Sequence, residues 1–157
     1  MSSEASVDRS AVAGPGPELT GRLGYSLKHV WLRLGELTSA ALAPYGLIGR
    51  ELAVLVVLSG GEPASQQEAA QRLGIDRTTM VALLDGLEDK ALVARHPDAQ
   101  DRRRNVVELT AAGRATLEAA TRANDDAERR FLAPLPEQLA QQFRQALQLL
   151  LTHPDPG

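Results

Sequence analysis

Three arginines in a row, Arg102, Arg103 and Arg104, stand in a charged turn (DAQDRRR) between two short β-prone runs, LVARHP and NVVELT. Guanidinium groups gathered on a turn bind phosphate or lie in solvent; they do not by themselves make or break covalent bonds. Upstream, Ala70, Gly74 and Met80 keep the internal spacing of a helix-turn-helix. That motif needs a small residue where two helices approach, a glycine for the turn and an apolar anchor for the second helix. Taken alone, this spacing arises often by chance and the arginine run reads as a solvated loop. With the hairpin directly following the helix pair, the whole is a winged helix-turn-helix with cations on its wing. The chemistry implied is reversible binding to double-stranded DNA.

Other chemistries have few residues to work with. The chain has no cysteine, so disulfides, thiolate metal sites, thiol nucleophiles and cysteine-based peroxide sensing are excluded. Its histidines, His29, His96 and His153, are far apart and form no i, i+4 pair, so no metal site is expected. No glycine-rich phosphate loop, serine-centred elbow or His-Glu metal motif is found, and neither an enzyme nor a cofactor is expected. The net charge of -3 argues mildly against a polyanionic partner. Acids outside the reading unit, such as Asp125, Asp126, Glu128 and Glu137, account for that sign.

The elements that must position these residues follow from periodicity and punctuation. A chain of 157 residues suits one core that buries roughly 70% of the unfolded surface. Residues 1–18, rich in Ser, Ala, Gly and Pro, read as a flexible tail without the features of a signal peptide, and 152–157 as a second tail. No apolar run is long enough to span a bilayer, so a cytoplasmic protein is expected. From Leu19 to about Ala43, Leu23, Leu27, Val30, Leu34, Leu37 and Ala41 keep one helical stripe, which Pro44–Gly46 ends. Gly49–Ser59 is assigned to helix from its place in the pattern. Ser65 with Glu68 is a capping-box signature for a third helix that closes at Gly74. Asp76 caps a fourth, with Met80, Leu83, Leu84 and Leu87 as its apolar stripe to about Lys90. The hairpin comes next, then a helix over Thr110–Arg130 and a last one over Pro134–Leu151, with Pro136 in its first turn. The fold expected is mostly α with a small β-hairpin, in the order α-α-α-α-β-β-α-α.

The segment LVARHPDAQDRRRNVVELTAAG is similar to the wing of the MarR (multiple antibiotic resistance regulator) family, through Asp98, Asp101, Arg103, Leu109, Thr110 and Gly113. Tyr45, Gly46 and Leu47 resemble that family's link between its first two helices, and the likeness extends over roughly 20–151. It implies one domain over 19–151. The winged helix-turn-helix would occupy about 48–112, and the first and last helices, about 19–43 and 111–151, would form a dimerisation region. It further implies a homodimer that places two recognition helices in successive major grooves of a pseudo-palindrome. Arg103 looks like the family's wing-tip arginine, which enters the minor groove, with Asp101 orienting it by an ion pair. On an extended hairpin Arg102 and Arg104 point away from Arg103, so the three do not all face one groove.

Two departures from the family stand out. Val81-Ala82 stands where relatives commonly have Thr-Arg, and Gly86 where a basic residue is usual. Base contacts therefore lean on the helix start, with Asp76, Arg77, Thr78 and Thr79 as expected readers and Ser65, Gln66 and Gln67 against phosphate. The resemblance also suggests a pocket for a small organic, aromatic-acid effector that lowers DNA affinity. Tyr25, His29, Trp31, Arg33 and Tyr45 are the aromatic and basic residues suited to it, although each also reads as packing or surface. The function implied is a repressor of a pseudo-palindromic operator. The alternative is a winged-helix protein-interaction module, with the uncharged Val81-Ala82 face turned to a protein.

Overall fold

The computed structural model describes residues 16–60, 64–98 and 105–153. The wing-tip residues Asp101, Arg102, Arg103 and Arg104, with the Asp101–Arg103 pair expected of them, lie outside the described residues. Packing divides the chain into two units, 1–33 and 34–157.

In the first unit, Pro17 opens a one-turn helix, α1 (Pro17–Thr20), and α2 (Leu23–Leu42) begins after Gly21 and Arg22. One continuous helix from Leu19 was expected, and the structure breaks it. Glycine supports a helical backbone poorly, and the Ser26 hydroxyl donates to the Thr20 carbonyl at 3.0 Å, in place of the amide a continuous helix would use. Leu23, Leu27 and Val30, on the expected helical stripe, are exposed in the single chain.

In the second unit, α2 ends on the fully buried Leu42, and a short 3₁₀ turn (Ala43–Tyr45) carries Pro44. Helix α3 (Gly49–Leu58) starts where the Glu51 carboxylate accepts the Ile48 amide at 3.0 Å. Ser65 and Glu68 form the expected capping box of α4 (Gln66–Leu73): Ser65 Oγ accepts the Glu68 amide at 3.2 Å and Glu68 the Ser65 amide at 2.8 Å. Gly74 then turns left-handed at φ 63°, which a side chain would resist. Helix α5 (Arg77–Asp89) opens on Asp76 and buries Met80, Leu84 and Leu87.

Strands β2 (Val93–Pro97) and β3 (Asn105–Leu109) form the antiparallel hairpin, in register from Val93 opposite Leu109 to Pro97 opposite Asn105. A strand absent from the sequence reading, β1 (Ala64–Ser65), pairs with Val107 and Val106 of β3, so the sheet order is β1-β3-β2. Two residues are too few to show a period of two.

Helix α6 (Ala111–Leu132) is capped by Thr110, whose hydroxyl accepts the Gly113 amide at 2.9 Å and donates to the Ala91 carbonyl at 2.7 Å. A Cβ on Gly113 would lie 1.9 Å from the Leu92 carbonyl oxygen, so only glycine lets α6 approach the start of the hairpin. Helix α7 (Glu137–Thr152) starts later than expected: Pro136 precedes it as the N-cap, and Leu135 lies outside it. The core consists of Leu42, Val54, Leu55, Met80, Leu84, Leu87, Val93 and Val107, all essentially inaccessible. No single helix among the described residues is long and apolar enough to cross a membrane.

Candidate nucleic-acid interface

Two helix N-termini and the first residue of a strand meet at an open groove of about 630 Å³. Ser65, Gln66 and Gln67 line it from the start of α4, Arg77 from the start of α5, and Asn105 from β3. Amides at helix starts carry partial positive charge, and Arg77 adds a full one, so the groove is suited to an anion. The amide side chains of Gln66, Gln67 and Asn105 supply donors and acceptors in the same space.

Local capping decides which groups stay available. Ser65 is buried, and its hydroxyl is held in the capping box. Asp76 accepts the Thr79 amide at 2.9 Å on one carboxylate oxygen and the Thr79 hydroxyl at 2.6 Å on the other. The hydroxyl, then the amide, hold the Asp76 carboxyl below its ordinary range. Asp76 and Thr79 thus serve each other as the cap that aims α5. Arg77 and Thr78, one turn into solvent, are both exposed. Of the expected readers, the structure brings Ser65, Gln66, Gln67 and Arg77 to one groove and uses Asp76 and Thr79 to build it.

Gly86 explains one departure from the expected pattern of cations. A Cβ there would stand 3.4 Å from Glu51 Oε1, so this position faces α3 rather than the exposed side of α5. Glu51 is itself buried, and Lys90 Nζ donates to both its oxygens at 2.7 and 2.8 Å and to the Gly46 carbonyl at 2.7 Å. One ammonium therefore ties the end of α5 to the start of α3 and to the turn before it.

Two residues in this region escaped the sequence reading. Asn105 joins the groove only because β3 pairs with β1 beside the start of α4, and that pairing left no periodic trace. Arg95, on β2, reaches back to α5, with one guanidinium nitrogen 2.5 Å from Asp85 and the other 2.5 Å from Glu88. Acids three apart on α5 with an arginine on the next strand were the available signal.

The residues expected to receive an effector fall in both units, Tyr25, His29, Trp31 and Arg33 in the first and Tyr45 in the second. Tyr25 and His29 stack one helical turn apart, with ring centroids 4.1 Å apart at 40°. Trp31 is 70% exposed and Arg33 is exposed. Tyr45, in the second unit, is half-buried and packs on the core. Among the described residues no group of acids and histidines is placed to hold a metal ion.

The sequence pattern of the MarR family matches residues 45–104, from the turn before α3 to the wing. The HTH-type transcriptional repressor Rv2887 of Mycobacterium tuberculosis is 34% identical over 128 residues, covering 82% of this chain and 92% of the relative. This chain belongs to the MarR family. Among solved MarR-type structures, a transcriptional repressor, CouR, bound to a 23-mer DNA duplex is 37% identical with a TM-score of 0.74. That match covers 86% of this chain and 93% of CouR. The Rv2887 protein in complex with p-aminosalicylic acid is 33% identical with a TM-score of 0.68, over 83% of this chain and 99% of that one. The winged helix-turn-helix expected from the sequence is thus the fold of its relatives.

Proposed function

We propose that this MarR-family protein is a sequence-specific transcriptional repressor. It binds a pseudo-palindromic operator as a homodimer, and a small aromatic acid lowers its affinity for DNA. The observation that carries the reading is the groove in which the starts of α4 and α5 bring Gln66, Gln67 and Arg77 beside Asn105. In it Arg77 and Thr78 address base edges, and Gln66 and Gln67 address phosphate. Arg103, oriented by Asp101 and flanked by Arg102 and Arg104, supplies the minor-groove contact. The similarity to repressors solved on DNA supports this assignment.

In this reading, residues 19–151 form one functional unit, and the helices over 19–43 and 111–151 make the dimer. Leucines left exposed on α2 and α7 support a second copy as their cover. The Tyr25–His29 pair, with Trp31 and Arg33, receives the effector, in keeping with the aromatic acid bound by the Rv2887 protein. The protein acts in the cytoplasm, where its DNA is, and as a switch rather than an enzyme.

Selection of bound sequences from a random duplex library at near-physiological salt tests the reading. A pseudo-palindrome with half-sites about ten base pairs apart is expected. Recovery of no motif, with weak salt-sensitive binding only, would favour a winged helix that docks a protein through α5.

A further inference from the structure

We propose that the second turn of α5 reads thymine through its C5 methyl group, with Val81 and Ala82 as the reading residues. This rests on the DNA-binding role of α5 proposed above. Met80, Leu84 and Leu87 bury one side of the helix, which leaves Arg77, Thr78, Val81, Ala82 and Asp85 along the other. Arg77, the one cation of that stripe, sits at its start in the groove. One turn later the stripe offers only a half-buried isopropyl group and an exposed methyl group. Neither side chain donates or accepts a hydrogen bond, so neither distinguishes guanine, cytosine or adenine by the polar pattern in the major groove. Thymine alone presents a methyl group there, and apolar contact is the form its recognition takes.

The next turn permits this contact. An acid on the reading face would be repelled by phosphate, but Arg95 pairs with Asp85 at 2.5 Å and with Glu88 at 2.5 Å, so the negative charge beside the apolar pair is halved. Gly86 faces Glu51 and puts no side chain in the way. Short side chains at Val81 and Ala82 then allow the helix axis to lie close to the base edges, as a methyl–methyl contact requires.

The test uses the full chain and the operator recovered by selection. Each thymine of a half-site is replaced in turn by deoxyuridine, which keeps the hydrogen-bonding edge and lacks only the methyl group. At one or more positions affinity should fall about fourfold, the effect of one buried methyl-sized group. With Val81→Ala or Ala82→Ser, the loss at the corresponding position should shrink below twofold. Since the replacement is made in the DNA, the wild-type measurement does not depend on how any variant folds. An operator indifferent to every replacement would overturn the thymine assignment and leave the DNA-binding reading standing. So would a deoxyuridine loss unchanged in both variants. Failure to recover any operator would overturn both.

Discussion

Helices α5 and α7 each carry a stripe of leucines, yet they meet opposite fates within one unit of the chain. Helix α5 buries Met80, Leu84 and Leu87 completely, whereas α7 buries no residue and leaves Leu139, Leu147, Leu149, Leu150 and Leu151 exposed. The sequence patterns are alike, so the difference lies in available partners. Helix α5 is packed on α3, α4 and the hairpin. Helix α7 makes a polar contact, Arg144 to Glu128 of α6 at 3.0 Å, but among the described residues none of its own side chains is buried. A contiguous exposed apolar surface of this kind marks an interaction face. The lesson is that an amphipathic period reports a face to be buried without saying which chain buries it.

Substitutions can break that contrast. Leu147→Glu combined with Leu150→Glu should convert the dimer to monomer in sedimentation and lower operator affinity at least about a hundredfold, because two linked half-site contacts become independent. Helix content by circular dichroism should hardly change; loss of the fold instead would place α7 in the core of the single chain. Leu84→Ala is the mirror experiment. It should cost about 3 kcal/mol in denaturant unfolding through the cavity it leaves, with the folded fraction still dimeric.

Smaller effects sharpen the account of how α5 is held. Lys90→Met removes the partner of a buried carboxylate, but Lys90 itself is 38% exposed, so solvent replaces part of the loss. A destabilisation of about 1–2 kcal/mol is expected, read as a lower urea midpoint. A neutral result would show that Glu51 finds other compensation. Ala91 is, among the described residues, the one non-glycine with a positive φ, at 56°. Ala91→Gly should raise stability by about 1 kcal/mol in the same assay, because glycine occupies the left-handed region without the Cβ clash. An unchanged midpoint would mean that the added freedom of the unfolded chain offsets the relief.

Much of the reading head was legible because its signals are local. Ser65 with Glu68, Gly74 and Asp76 act within a few residues of themselves, and each marks the boundary at which the structure places it. Gly21 is the counterexample: an isolated glycine inside a helical stripe interrupts the helix, and the hydroxyl of Ser26, the fourth residue of the next one, takes over the Thr20 carbonyl. The groove was only partly legible. Arg77, Gln66 and Gln67 lie near the helix caps and could be named, whereas Asn105 and Arg95 reach their places through pairings across the hairpin.

The sequence by itself determined the order of the main helices and the hairpin, the helix starts at Asp76 and Thr110, the turn at Gly74 and the buried Met80, Leu84 and Leu87 of α5. These follow from hydrogen bonds between near neighbours and from a period of 3.6 residues, both written along the chain. Only the tertiary structure decided that Gly86 makes room for Glu51, that Lys90 joins three elements, and that Arg95 pairs with both Asp85 and Glu88. Those outcomes depend on which atoms meet across distant segments. An ion pair or a close approach leaves no period behind it.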